Sequence, residues 1–215
     1  QVSSVSIINI DMMNKHNMNK HLGKVTCTNI CTEIVPVGDF ACTLGSVNLH
    51  HLVNDGKFNW DRFEEAMSIL VKTLNLAVNV THFTMKKDIQ YYNKHVLRPI
   101  GIGVTGYANC LIDQGICYED SSDFAYKLFS TMLCAATETS MMIGKQWPKL
   151  IPDRWHDSEW SKGKLPIDTW SAKELNRVNV TPSFEVEYRL EQVRRKLRKQ
   201  PMVNCNLIAH MPTLR

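Results

Sequence analysis

The run Arg98-Pro99-Ile100-Gly101-Ile102-Gly103-Val104 restricts the fold of this chain more than any other stretch. β-branched residues favour a pleated, buried strand, and Gly101 and Gly103 within it mark places where other backbone comes close. Such a strand needs neighbours, and the sequence offers them. Thr26 to Val35 and Phe40 to Leu49 read as extended segments separated by a turn over Pro36 to Asp39 that contains Gly38, and Asn206 to Ala209 reads as a short strand. Between them lie helical patterns. From about Asp61 to Val80, with Asn59 or Asp61 as cap, Phe63, Ala66, Ile69, Leu70, Leu74 and Ala77 recur at helical spacing. From about Ser122 to Gly144, with Ser121 or Ser122 as cap, Phe124, Leu128, Met132 and Ala135 form a second stripe. Thr181-Pro182 signals a third helix start, and the pattern runs to about Lys199. Trp147 to Trp170, with four of the five tryptophans, reads as a long structured loop. Strands alternating with helices at this spacing predict an α/β fold with a largely parallel sheet.

Composition narrows the class. At 215 residues with 44% hydrophobic content, the chain fits one domain with a real core. Residues 1–25 form an irregular lead-in and residues 26–215 the domain segment. No run of apolar residues is long enough to span a bilayer, and the N-terminus lacks the charged-then-apolar order of a signal peptide, so a cytoplasmic location without membrane contact is expected. The first residue is Gln1 rather than Met, which suggests a fragment or processed product. Seven irregularly spaced cysteines point to reduced thiols rather than a disulfide framework. A net charge of +4 suits an anionic ligand but is too small to argue for nucleic acid. The basic run from Arg194 to Lys199 reads first as a solvated helix end, favourable beside the C-terminal dipole.

The residues richest in chemistry are Asn29, Cys31 and Glu33, in the string TCTNICTEIV. In an extended chain they share one face, each roughly 7 Å from the next. An amide, a thiol and a carboxylate so placed could position a polar substrate, react through sulfur and move a proton. On spacing alone, a polar strand edge with a buried cysteine explains the same residues and is favoured. Cys27, Cys31 and Cys42 with His21, His50 and His51 have zinc-ligand types, which keeps a small metal-binding interaction domain as an alternative. No CxxC pair occurs, so no metal is expected.

The string Asn29-Ile30-Cys31-Thr32-Glu33-Ile34 resembles the active-site loop of class I ribonucleotide reductase large subunits, typically S-N-L-C-x-E-I. Further matches follow in family order: ACTLGSVNL from Ala41, RPIGIGVTGYA from Arg98, SKGKLPIDTW from Ser161 and NCNLIAHMPT from Asn204. The resemblance implies part of a ten-stranded α/β barrel, with the catalytic cysteine on an inner finger loop. It implies that Cys31 becomes a thiyl radical that abstracts the ribose 3′ hydrogen, that Glu33 exchanges a proton with the 3′ hydroxyl, and that Asn29 holds the ribose hydroxyls. Cys42 matches one of two thiols that reduce the substrate and close a disulfide. Pro212 and Thr213 match the start of the turn that holds the substrate diphosphate. That turn typically continues M-P-T-A-S-T, whereas this chain reads Met211-Pro212-Thr213-Leu214-Arg215, so the implied phosphate site is incomplete unless Arg215 partly substitutes as a cation.

The product would be 2′-deoxyribonucleotides for DNA synthesis, made from ribonucleoside diphosphates. No cofactor is expected on the chain itself: a metal-containing small subunit would supply the radical, and thioredoxin or glutaredoxin the electrons. Other implied partners are complementing large-subunit segments and a second copy in a homo-oligomer. The family places the thiol paired with Cys42 and the effector region upstream of this stretch, and the radical-relay tyrosine pair and shuttle cysteines downstream. Tyr91 and Tyr92 lie in the wrong block to be that pair. Cys110, Cys117, Cys134 and Cys205 read as core or incidental residues. A non-catalytic scaffold derived from such an enzyme is the remaining alternative.

Overall fold

The computed structural model describes residues 7–35, 37–82, 87–175, 180 and 182–212. Its centre is the strand expected from the Ile-Gly-Ile-Gly run. This strand, β4 (Ile100–Thr105), is preceded in the chain by β1 (Thr43–Asn48) and a short antiparallel hairpin, β2 (Val53–Asn54) and β3 (Lys57–Phe58), closed by Asp55 and Gly56 at positive φ. β1 pairs parallel to β4 from Thr43↔Ile100 to Asn48↔Thr105. On the other side of β4 the amides of Ile100 and Ile102 donate to the carbonyls of Asn206 and Leu207 at 3.2 and 2.9 Å, and Ile208 bridges Ile102 in parallel. Flanked on both edges, Ile100, Ile102 and Val104 are buried. The expected close approach falls at Gly101, where a Cβ would lie 2.3 Å from Leu44 Cδ2 and 2.8 Å from Ala209 Cβ.

Helices cover this sheet. α1 (Ile10–Lys15) lies in the lead-in, capped by the Asn9 side chain, so that part of residues 1–25 is regular. α2 (Trp60–Val80) starts where expected, with Asn59 Oδ1 accepting from the Arg62 amide at 3.0 Å. Its buried stripe is Phe63, Met67, Val71, Leu74 and Val78, rotated from the one read in the sequence, and Ile69 is 56% exposed. The reason is that α2 packs against both the sheet and a second helix, so its buried sector is centred between the two surfaces. α3 (Lys87–Tyr91) leads through a π-helical turn, Tyr92–Val96, into β4. α4 (Tyr107–Gln114), not anticipated from the sequence, runs between Gly106 and Gly115, both at positive φ. α5 (Ser122–Gln146) is sandwiched between α2 and the last helix and is buried along most of its length.

The stretch from Trp147 to Trp170 is, as expected, a loop of short 3-10 turns, anchored by buried Trp155 and Trp160. α6 (Ala172–Leu175) and α7 (Phe184–Leu197) follow. α7 starts later than Thr181-Pro182 because Ser183 is the cap that accepts from the Val186 amide, and Thr181 lies outside the described residues. Val186, Leu190, Val193 and Leu197 are its buried side. The α/β class and the parallel sheet are as expected. The sheet of the described residues is open, so these residues do not close a ten-stranded barrel.

Candidate active site

The segment Thr26–Val35 is not the strand its composition suggested. It folds as a turn. The Thr32 amide donates to the Asn29 carbonyl at 3.1 Å, and Thr32 takes φ 64°. Local side chains outcompete the sheet here. Asn29 Oδ1 accepts from the Ile34 amide at 3.0 Å, Thr28 Oγ1 donates to the Asn29 carbonyl at 3.0 Å, and Thr32 Oγ1 donates to the Cys31 carbonyl at 2.7 Å. The single face expected for Asn29, Cys31 and Glu33 is therefore replaced by a different arrangement. The turn brings Asn29 and Glu33 into direct contact, with Asn29 Nδ2 donating to Glu33 Oε2 at 2.5 Å. It leaves Cys31 exposed between them, beside Ile30, which is 95% exposed.

Cys42 stands at the entrance to β1. Its Sγ packs over Gly101, 3.4 Å from where a Cβ would be, and contacts the Thr43 carbonyl at 3.9 Å. Burial, reinforced by the nearby Glu33 charge, pushes the Cys42 thiol up to about 12. At neutral pH it is a thiol, not a thiolate. Cys27, Asn29, Phe40, Cys42 and Leu44 line a common recess of about 310 Å³. Glu33 also borders a larger cavity of about 460 Å³ with His16, Asn19, Trp160 and Asn206. Asn29, Glu33 and Cys42 thus form one neighbourhood, while Cys31 is exposed and does not line the recess.

Other expected residues fall elsewhere. Pro212 is exposed and does not line the recess, and Thr213 lies outside the described residues. Met211, just before Pro212, accepts from Ser46 Oγ at 3.3 Å, which runs this segment alongside the sheet. Arg194 is spent on Asp168, at 2.9 and 2.7 Å, Lys196 on Glu138 at 2.6 Å and Arg195 on Glu191 at 3.0 Å. Among the described residues no group of three His, Cys, Asp or Glu could hold a metal ion, and no helix is long and apolar enough to cross a membrane.

Two groups of polar residues went unread in the sequence. Arg98 is 1% exposed and donates to Asn75 and Asn79 Oδ1 at 3.3 and 2.9 Å, with burial lowering its pKa. Asn204 exchanges two 3.0 Å hydrogen bonds with Asn75, donates to the Arg98 carbonyl at 2.8 Å and accepts from Ser140 Oγ at 2.7 Å. This network ties α2 and α5 to the residues just before β4 and just before the segment that pairs with it. The second is Asn93, buried in the π-turn, whose Oδ1 accepts from the Ala41 amide at 3.0 Å. Both join residues remote in sequence, so no local pattern marks them.

The family model described as "Ribonucleotide reductase, barrel domain" matches residues 1–214. Among curated relatives, the ribonucleoside-diphosphate reductase large subunit of Monkeypox virus is 30% identical over 210 residues, covering 94% of this chain and 25% of the relative. The subunit alpha of Chlamydia muridarum is 30% identical over 212 residues, covering 94% and 20% respectively. The large chain of Schizosaccharomyces pombe is 27% identical over 209 residues, covering 94% and 24%. The chain spans a fifth to a quarter of the length of these relatives.

Proposed function

The chain belongs to the ribonucleotide reductase barrel-domain family, and from that premise we propose that it is the active-site segment of a ribonucleoside-diphosphate reductase large subunit. The observation that carries this reading is the Asn29–Glu33 hydrogen bond of 2.5 Å, made across a turn that leaves Cys31 exposed. A Cys31 thiyl radical takes the 3′ hydrogen atom of the ribose and becomes a thiol, leaving a carbon radical. The Glu33 carboxylate accepts the 3′ hydroxyl proton while Asn29 orients both. The 2′ hydroxyl then leaves as water with a proton from a thiol pair that includes Cys42. That pair gives its second hydrogen to C2′, contributes two electrons in all and closes to a disulfide, while Glu33 returns its proton to the 3′ oxygen and Cys31 returns its hydrogen atom to C3′. A Cys42 thiol held protonated near Glu33 suits this role, since it carries the proton that the leaving hydroxyl needs.

A metal-containing small subunit supplies the radical that starts the cycle, and thioredoxin or glutaredoxin reopens the disulfide. The second thiol and the rest of the diphosphate site come from complementing large-subunit segments, with Pro212 and Thr213 opening that site. The working assembly is a cytoplasmic homo-oligomer.

The test is to combine the chain with a radical-bearing small subunit, a dithiol, a ribonucleoside diphosphate and complementing large-subunit segments, then measure deoxyribonucleotide. The chain without those segments should form none, and the full mixture should form it. Product from the chain without them would remove the need for complementation. No product from a full mixture that still binds substrate would overturn the reductase reading.

A further inference from the structure

The π-helical turn Tyr92–Val96 holds the chain on the approach to Cys42 at two points. Turns of this kind carry one residue more than an α-helical turn and re-aim the side chains around them. Here the Leu97 amide reaches back to the Tyr92 carbonyl at 2.9 Å. The turn is itself anchored, because the Leu97 carbonyl accepts from the Cys205 amide and the His95 carbonyl from the Asp153 amide, both at 2.8 Å. From this base Tyr92 lays its ring against Gly38, where a Cβ would meet the ring carbons at 3.0 Å and where φ is +84°. The next residue, Asn93, is 4% exposed and takes the Ala41 amide on its Oδ1 at 3.0 Å.

Ala41 immediately precedes Cys42, and the ladder with β4 begins only at Thr43. The Cys42 backbone is therefore fixed on one side by the sheet and on the other by Asn93. The depth of its sulfur over Gly101 follows from both constraints.

We propose that Asn93 is a positioning residue for the Cys42 thiol: its side-chain oxygen holds Ala41 so that the half-buried sulfur sits in the recess, over Gly101 and near Glu33. The tie keeps the reductant thiol partly shielded while Cys31 stays open, a division of labour that rests on the function proposed above. The shielding itself does not depend on turnover. Asparagine suits the position because it presents a neutral acceptor from a buried site, where an apolar side chain of the same size would leave the Ala41 amide without a partner.

The experiment uses the full reduced chain and iodoacetamide, with alkylation of each cysteine followed by peptide mass spectrometry. Asn93→Leu keeps the volume and removes the acceptor. It should speed Cys42 labelling by about tenfold relative to Cys31, the change expected when one buried hydrogen bond of a local closed state is lost. Cys110, Cys134 and Cys205, buried elsewhere, should label as in the parent. The proposal is overturned if Asn93→Leu leaves Cys42 labelling unchanged, or if Cys42 rises only in step with the three buried cysteines. Labelling reads the sulfur without any catalysis, so a failed labelling result leaves the reductase reading standing, and an inactive assembly leaves the labelling result standing.

Discussion

Gly101→Ala tests whether the close approach at the middle of the sheet is real. Carbon atoms in contact ordinarily lie about 3.5–4.0 Å apart. The added Cβ would sit 2.3 Å from Leu44 Cδ2 and 2.8 Å from Ala209 Cβ, short on both flanks. Leu44 is 38% exposed and can rotate away. Ala209 cannot, because it has no rotatable side chain and its amide is tied to the Ile102 carbonyl at 3.1 Å. The backbone of the segment around Ala209 that pairs with β4 must therefore move. Overpacking of this kind costs about 1–3 kcal/mol, and a forced backbone shift puts this site toward the upper end. Removing a glycine from the unfolded chain offsets about 0.4–1 kcal/mol. The net expectation is a loss of about 2 kcal/mol, or roughly 4–8 °C in Tm for a chain of this size. Gly103→Ala is the control, since its nearest atoms are Ala209 O at 3.2 Å and Met211 Cε at 3.4 Å, which a small adjustment relieves. Thermal and urea unfolding followed by circular dichroism measure both. If Gly101→Ala is as stable as the parent, or no worse than Gly103→Ala, the packing argument fails.

The remaining expectations concern the buried network and the site. Asn204→Leu keeps the shape of a fully buried residue but strands Asn75, Ser140 Oγ and the Arg98 carbonyl; urea unfolding should show a loss of about 3–5 kcal/mol, and a loss below about 1 kcal/mol would mean the network is not satisfied as described. Because burial and Glu33 hold the Cys42 thiol up at about 12, its alkylation should climb about tenfold per pH unit through pH 11, where an ordinary thiol has levelled off. A plateau near pH 9 would contradict the burial. The raised value also sets the sign of the linkage: this thiol's contribution to stability is complete below the ordinary thiol value of 9.0 and is lost as pH rises toward about 12. In the reconstituted assembly Glu33→Gln should lower turnover by about 10²–10⁴ with little change in substrate binding, and full turnover would remove Glu33 from proton transfer.

What the sequence made legible follows the range of the forces involved. β4 and α2 were readable because β-branched residues, glycines and an Asn cap act locally, and so were the loop of 3-10 turns and its tryptophans. The rotation of the α2 stripe was not, since Ile69 is exposed only because α2 is shared between a sheet and α5. Thr26–Val35 misled because strand propensity and turn-forming side chains coexist there; Asn29 and Thr32 satisfy the backbone locally before any partner strand can. The turn nonetheless joins Asn29 to Glu33, so the grouping of these two side chains was legible while its geometry was not. Arg98, Asn204 and Asn93 act across long sequence separations, and nothing adjacent to them announces a partner.

The central claim, that Cys31 carries the radical and Cys42 the reducing equivalents, is tested most directly by following 3′-hydrogen abstraction in an assembly reconstituted with its radical subunit. With a substrate labelled at the 3′ hydrogen, Cys31→Ser should show no abstraction and leave the substrate intact, because a serine O–H bond is too strong to carry the radical. Cys42→Ser should still abstract the hydrogen, then release free base without forming deoxynucleotide. Abstraction by the Cys31→Ser assembly, or identical behaviour of the two variants at this step, would contradict the assignment.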